Sequence, residues 1–288
     1  MKRIFVLSAS IYLFALVSLG KALSTVRARV QFHPSPVEIE NFTLSFPLTW
    51  QRRFLSSVPY RERALDNINV SLREFCFIRG ASSSGKSTLL KAILNQRGQS
   101  ATTGGTATGT VTLVSRPDCP PAKPIYLDQK PPYEDRLRIK EVIDRQWSLN
   151  GDPIDKTIRA EITSFFANYL GLQDGQADDW LQRKPSELSP SETYRFALLL
   201  ACFQSSCSSD IRRTEDDKIL LPAPILLLDE WMDTETSTVI QAVQQGLWTL
   251  VQATGALVAI VSHKPERWRR DQISQTITMS GGRVLYVE

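Results

Sequence analysis

Eight consecutive residues, Gly80-Ala81-Ser82-Ser83-Ser84-Gly85-Lys86-Ser87, match the pattern G-x-x-x-x-G-K-[ST], and Thr88 follows them. These residue types at this spacing suit phosphate binding. Glycines at the two ends let the backbone turn tightly and bring its N–H groups close to phosphate oxygens. Lys86 offers a compact positive charge for β- and γ-phosphate oxygens, and the Ser87 hydroxyl is a ligand for Mg²⁺. Far downstream, Pro224-Ile225-Leu226-Leu227-Leu228-Asp229-Glu230 is an apolar run that ends in two carboxylates. Asp229 is placed to hold Mg²⁺ directly or through water, whereas Glu230, one residue on, points elsewhere and can polarise an attacking water as a general base. Alone, such a pair would read as two solvated acids at a strand end. Beside a phosphate loop it reads as the second half of a nucleoside triphosphate site.

The elements that must position these residues are legible on either side of them. Phe75-Cys76-Phe77-Ile78 reads as a buried strand entering the loop, and Ser87 to Leu94 reads as a helix leaving it, with apolar residues at helical spacing. A helix start aimed at the loop adds free N–H donors and partial positive charge for an anion. The Ile225–Leu228 run suits a strand buried on both faces of a parallel sheet, and ligands bind outside the carboxyl ends of such strands. Leu257-Val258-Ala259-Ile260-Val261 is a similar run, followed by Ser262-His263, one of two histidines in the chain.

The 288 residues are 42% hydrophobic, enough for a sizeable core. Val37 to Phe46 alternates in the manner of an edge strand, and Leu65 to Leu72 reads as a strand with Ile68 and Val70 on one face. Gln99 to Thr110 is Gly/Thr-rich and reads as a loop before a strand at Val111–Val114, and Pro117 to Pro124 as a proline-rich connection. Ile139 to Leu200 is mostly helical in pattern, including Ile158 to Leu172 and a helix from Ser191. Ser205 to Pro222 is polar and charged and reads as a surface insertion. Thirty-four basic residues against 30 acidic ones give a net charge of +4. Clusters such as Arg267-Trp268-Arg269-Arg270 read as a solvated helix face or a membrane-proximal patch, and nucleic acid is not an expected partner. The four cysteines lack metal-ligand spacing, and nothing demands a Cys202–Cys207 disulfide.

The amino-terminal segment reads as a targeting leader. Lys2-Arg3 precede an apolar stretch from Ile4 to Leu19, and Ala22-Leu23-Ser24 supplies small residues for cleavage, the pattern of a signal peptide. Ser24 to Ser35 is basic, free of acids and Ser/Thr-containing, in the manner of a transit segment. Residues 1–36 are expected to be leader and 37–288 the folded domain. A two-part leader to a plastid enclosed in endomembranes and a signal anchor with the domain in the cytosol both stay open.

The order of the pieces resembles the nucleotide-binding subunit of ATP-binding cassette (ABC) proteins, from about Val37 to Glu288. Tyr60 lies where that family keeps an aromatic that stacks on adenine. Tyr126-Leu127-Asp128-Gln129 resembles its Q-loop, with Gln129 contacting Mg²⁺ and water. Leu188-Ser189-Pro190-Ser191-Glu192 stands where the family carries the signature Leu-Ser-Gly-Gly-Gln. Ile260-Val261-Ser262-His263 resembles the switch histidine, which would contact the γ-phosphate, and Gly281-Gly282-Arg283-Val284 the terminal hairpin. The plainer readings stay beside these: Tyr60 as a surface aromatic, Gln129 as a loop amide, His263 as a structural histidine. The resemblance implies an α/β fold of the P-loop NTPase type, with a mostly parallel core sheet, an antiparallel β subdomain and an inserted α-helical subdomain at about 130–203. It implies ATP and Mg²⁺ at residues 80–88 and at Asp229, catalysis by Glu230, Gln129 and His263, and a dimer in which Ser189 and Ser191 face the partner's nucleotide. A second ATPase subunit and a separate membrane permease are the implied partners.

The signature and the loop after Glu230 depart from that pattern. Pro190 replaces a glycine and has no N–H, while Ser189-Pro190-Ser191-Glu192 is a good helix start with Ser189 as the N-cap. One lost charge-assisted hydrogen bond would weaken transition-state stabilisation by about 1.5–3 kcal/mol. Thr236 stands where the family has aspartate, and Ser83 where a glycine is common. These departures keep a second reading open, an ATP-dependent dimerising scaffold or assembly factor with weak hydrolysis. A P-loop small-molecule kinase is a third, although no acceptor site is recognisable.

Overall fold

Alternation along three apolar strands organises the molecule. In the computed structural model, which describes residues 30–45, 63–95, 106–115, 119, 122–128, 136–149, 155–172, 179–207, 212–213 and 218–288, Phe75 and Phe77 face one core while Cys76 and Ile78 face another. Leu226 and Leu228 go with the first core, and Ile225 and Leu227 with the second. Val258 and Ile260 divide from Leu257, Ala259 and Val261 in the same way. Successive side chains of a strand point to opposite faces, so a strand that is apolar at every position must be covered on both.

The strands are, in chain order, β1 (Val30–His33), β2 (Val37–Ser45), β3 (Arg63–Leu72), β4 (Phe75–Gly80), β5 (Thr106–Leu113), β6 (Pro124–Leu127), β7 (Arg212–Arg213), β8 (Ile219–Pro222), β9 (Ile225–Asp229), β10 (Leu257–Val261), β11 (Gln275–Ser280) and β12 (Arg283–Val287). The helices are α1 (Lys86–Leu94), α2 (Ile139–Leu149), α3 (Lys156–Tyr169), α4 (Asp179–Gln182), α5 (Pro190–Ser206) and α6 (Ser237–Thr254). The central sheet runs β12-β11-β4-β10-β9-β6, parallel except for the β11–β12 hairpin. The second core lies between this sheet, Leu89, Leu90 and Ile93 of α1, and the antiparallel sheet β3-β2-β5. The first core fills the other face with α2, α3, α5 and α6, where Trp147, Phe165, Phe166 and Phe203 form a run of ring contacts. The expected α/β fold with a parallel core, an antiparallel β subdomain and a helical insertion is what the chain adopts.

Four expectations need correction. β2 is the middle strand of its sheet, not an edge, because alternation reports which face is buried and says nothing of neighbours. β5 starts at Thr106, inside the stretch read as loop; it is an edge strand whose first five residues are exposed, so it carries no apolar pattern to read. Ser205 and Ser206 are buried in α5, and Ile219–Pro222 is a fully buried strand, so the surface insertion between them is narrower than the composition suggests. Finally, the fold begins before Val37. Val30–His33 pairs in parallel with β8, and Phe32 stacks on Phe165 at a centroid distance of 5.1 Å. The signal-like stretch, with residues 1–29 as a whole, lies outside the described residues. Among the described residues no helix is long and apolar enough to cross a membrane.

The terminal hairpin is latched to β3. The Asp66 N–H donates to Gly282 O at 2.8 Å, and the Asp66 carboxylate receives Arg283 and, at 2.8 Å, Arg63. The Arg283 bond first, and that of Arg63 second, hold the Asp66 carboxyl below its ordinary value of 3.8. A carboxyl lowered in the folded state contributes stability at pH values above 3.8, and that contribution is lost as the pH falls further. Asp66→Asn should therefore leave the chain less stable at neutral pH and flatten the acid limb of its stability profile below about pH 4, as read by chemical denaturation at a series of pH values.

Candidate active site

Three parallel strands, β4, β10 and β9, end side by side. Ile78 pairs with Val261, and Val261 with Asp229, so the loop after β4, the Glu230 loop and the Ser262-His263 segment leave from one edge of the sheet.

The loop after β4 has room for little but glycine at its start. Gly80 has φ 155°, and a Cβ there would lie 2.3 Å from the carbonyl oxygen of Met279 on the neighbouring strand. The Ser84 N–H closes a turn onto Ala81 O at 3.2 Å, and the Gly282 N–H props the loop from the hairpin by donating to Ser84 O at 2.9 Å. Ala81, Ser82 and Ser83 are exposed, and Thr88 is half-buried on α1. Gly85 is the N-cap of α1 at φ 101° and supplies no side-chain cap, so the helix presents its first N–H groups to whatever the loop encloses. The Ser84 hydroxyl is buried without a hydrogen-bond partner. Lys86 is 5% exposed, and its Nζ donates to the Gly80 and Ala81 carbonyls at 3.0 Å each. An uncapped helix start, a buried ammonium and an orphan hydroxyl on one turn of chain suit a phosphate group.

Ser87 is brought to Asp229 across 142 residues of sequence, and its Oγ donates to Oδ1 at 2.9 Å. The second oxygen, Oδ2, accepts the Tyr126 hydroxyl at 2.5 Å. Burial first, and the bond to Asp229 next, push the Tyr126 phenol well above its ordinary range, so it stays a donor. A hydroxyl and a carboxylate oxygen this close suit a hard cation that keeps waters and takes its remaining ligands from phosphate. Among the described residues no group of three or more His, Cys, Asp or Glu side chains could hold a metal by itself.

Glu230 has φ 53°, unusual for a residue other than glycine, and its N–H is tied to Val261 O at 2.8 Å. That turn swings its carboxylate away from Asp229 to His263, whose Nε2 lies 2.7 Å from Glu230 Oε1. Both side chains are open to solvent, at 46% and 42%. The segment that follows is anchored on each side. Trp231 is buried in an edge-to-face contact with Tyr194 of α5 at 4.9 Å, and the Tyr194 hydroxyl donates to Glu235 at 2.8 Å. Asp233 accepts from the Ser262 hydroxyl at 2.5 Å and the His263 N–H at 2.8 Å. Thr236, where the resemblance sets an aspartate, is the N-cap of α6.

Ser189 and Ser191 are not hydrogen-bonded to this cluster. Ser189 caps α5, its hydroxyl accepting the Glu192 N–H at 3.4 Å while its own N–H donates to Glu192 Oε2 at 2.8 Å. Ser191 receives Arg195 at 3.3 Å. Burial works to raise the Glu192 carboxyl, but the Ser189 bonds and the Arg183 contact outweigh it and hold it below its usual value. Tyr60 and Gln129 lie outside the described residues. The sequence does not mark Tyr126 or Asp233 as partners of these residues: Tyr126 enters only as the first residue of the Q-loop resemblance, and each side chain acts across a strand pairing.

No family model and no curated protein matches the chain. Solved structures do. The dimeric structure of MJ0796, described as a bacterial ABC transporter cassette, aligns with a TM-score of 0.51 at 18% identity over 88% of this chain and 97% of that one. A dimeric, post-hydrolysis state of the ATP-binding cassette MJ0796 bound to ADP and Pi aligns with a TM-score of 0.52, at the same identity and coverage. The chain has the fold of an ATP-binding cassette. Within this fold Lys86, Ser87, Asp229, Glu230 and His263 converge at one sheet edge, while Ser189 and Ser191 start a helix of the inserted subdomain.

Ser83 stands in the β4–α1 loop at φ 62°, a left-handed conformation that costs a residue with a Cβ roughly 1–2 kcal/mol. Ser83→Gly should stabilise the protein by about 1 kcal/mol, raising the melting temperature by about 2–4 °C in calorimetry.

Proposed function

We propose that this protein is an ATPase of the ABC type. In this reading it binds MgATP at the β4–α1 loop, hydrolyses it on dimerising with a second ATPase subunit, and couples hydrolysis to a separate membrane partner. The observation that carries the proposal is the Ser87–Asp229 hydrogen bond, which brings together a hydroxyl and a carboxylate from distant parts of the chain, as a phosphate-and-cation site requires. The dimeric assembly of the similar MJ0796 structures supports the second subunit.

The residues take distinct roles. The N–H groups of Gly85, Lys86 and Ser87 and the Lys86 ammonium bind and orient the phosphates, the ammonium exchanging the loop carbonyls it now holds for phosphate oxygens. Ser87 and Asp229 would hold Mg²⁺, which when bound neutralises phosphate charge. Tyr126 keeps one Asp229 oxygen fixed while the other faces Ser87. Glu230 accepts the proton of the attacking water, and His263, hydrogen-bonded to it, orients its carboxylate and approaches the γ-phosphate. Gln129 and Tyr60 belong to the proposal as water- and adenine-contacting residues.

One observation favours a slower, scaffold-like variant. In the first turn of α5, Pro190 has no N–H and that of Glu192 is taken by Ser189, which leaves Ser191 as the donor for a partner's nucleotide. A partner subunit with a full signature helix would restore the site around Lys86. The organellar address and the permease are part of the same proposal.

Phosphate release by the purified protein should rise in specific activity as protein concentration increases. Glu230→Gln should lower turnover by about 10²–10⁴-fold while ATP still binds, as measured by a coupled phosphate assay alongside equilibrium binding. Retained binding with no turnover at any concentration would instead support the scaffold.

A further inference from the structure

Glu230 and His263 meet at 2.7 Å although both are half-open to solvent. Packing does not hold such side chains; a closed circuit of hydrogen bonds does. The Asp233 N–H donates to Glu230 O at 3.2 Å, which folds the loop back on itself. The Asp233 carboxylate then accepts the His263 N–H at 2.8 Å through Oδ2 and the Ser262 hydroxyl at 2.5 Å through Oδ1. The Ser262 oxygen in turn accepts the Lys264 N–H at 3.0 Å, and Lys264 Nζ reaches back to the Asp233 carbonyl at 2.7 Å. The His263 ring closes the circuit on Glu230. Ser262 is 5% exposed, so its hydroxyl has little water to turn to, and the carboxylate is the acceptor that fixes it.

We infer that Asp233 is a positioning residue for the reaction: through the Ser262 hydroxyl and the His263 N–H it sets the backbone that carries His263, and thereby sets the imidazole against Glu230. This rests on the ATPase reading above. A carboxylate is suited to the task because it accepts two donors at once in fixed directions, and its bonds to neutral donors are stronger than those of an amide or hydroxyl. Asp233 does not touch the reacting atoms; its effect passes through His263.

A double-mutant cycle in the full chain tests the inference. Asp233→Ala should lower kcat about tenfold with the KM for ATP changed less than about threefold. In a His263→Ala background the same substitution should add less than about twofold, because the residue it acts through is gone. Asp233→Asn, which keeps the size and one acceptor oxygen, should show the same direction at a smaller size and guards against a variant that fails to fold. A readout independent of turnover is the His263 ring resonance in histidine-labelled protein, easily assigned because the chain has only two histidines. Asp233→Ala should move the His263 signals in the direction that Glu230→Gln moves them and leave those of His33 in place. Equal losses in both backgrounds, or a His263 resonance indifferent to Asp233, would overturn the inference. Absence of phosphate release by the wild-type protein would count against the ATPase reading alone, since the resonance test would still decide the positioning role.

Discussion

Parallel pairing of β10 with β4 on one side and β9 on the other is the constraint from which the site follows. Its register sets Ile78, Val261 and Asp229 in one row. Every segment of the candidate site then leaves the sheet within a few residues of that row: the β4–α1 loop, the Glu230 turn after β9, and Ser262-His263 after β10. Slipping β9 by one residue would turn Asp229 to the other face and break its bond to Ser87. The register is protected by the two cores, because each alternate residue of the three strands is committed to one core or the other.

The two cores also divide the labour of the fold. One seats α1 and the antiparallel sheet, and so fixes the β4–α1 loop, which the β11–β12 hairpin buttresses through Gly282. The other seats the helical insertion and the loop after Glu230, where Trp231 and Tyr194 make the joint between α5 and the sheet edge that carries Glu230. The helix that begins with Ser189 and Pro190 is thus tied by its second turn to the loop that carries Glu230. A movement of that helix has a direct mechanical route to the glutamate.

Much of this was legible in the sequence, for physical reasons that also explain what was not. The loop at 80–87, the apolar run to Asp229 and the run to Val261 are contiguous, and each carries its pattern within a few residues. The capping box at Ser189 and Glu192 is likewise local, and it forms as read. The roles of Tyr126 and Asp233 were invisible because their partners lie 103 and 30 residues away, across strand pairings that no short pattern encodes. The sequence marks only the Val111–Leu113 end of β5 as strand, because the exposed Thr106–Thr110 end carries no apolar stripe. β1 was hidden in a stretch whose basic composition pointed to a leader, although Val30 and Phe32 already alternate there.

The most direct measurement is equilibrium titration of the full-length protein with ATP, with and without Mg²⁺, beside Lys86→Ala. The expected result is binding that Mg²⁺ strengthens and that the substitution weakens about tenfold or more, since a buried charge-assisted contact to phosphate is lost. Binding indifferent to Lys86, or no binding at all, would contradict the assignment of this sheet edge as a nucleotide site.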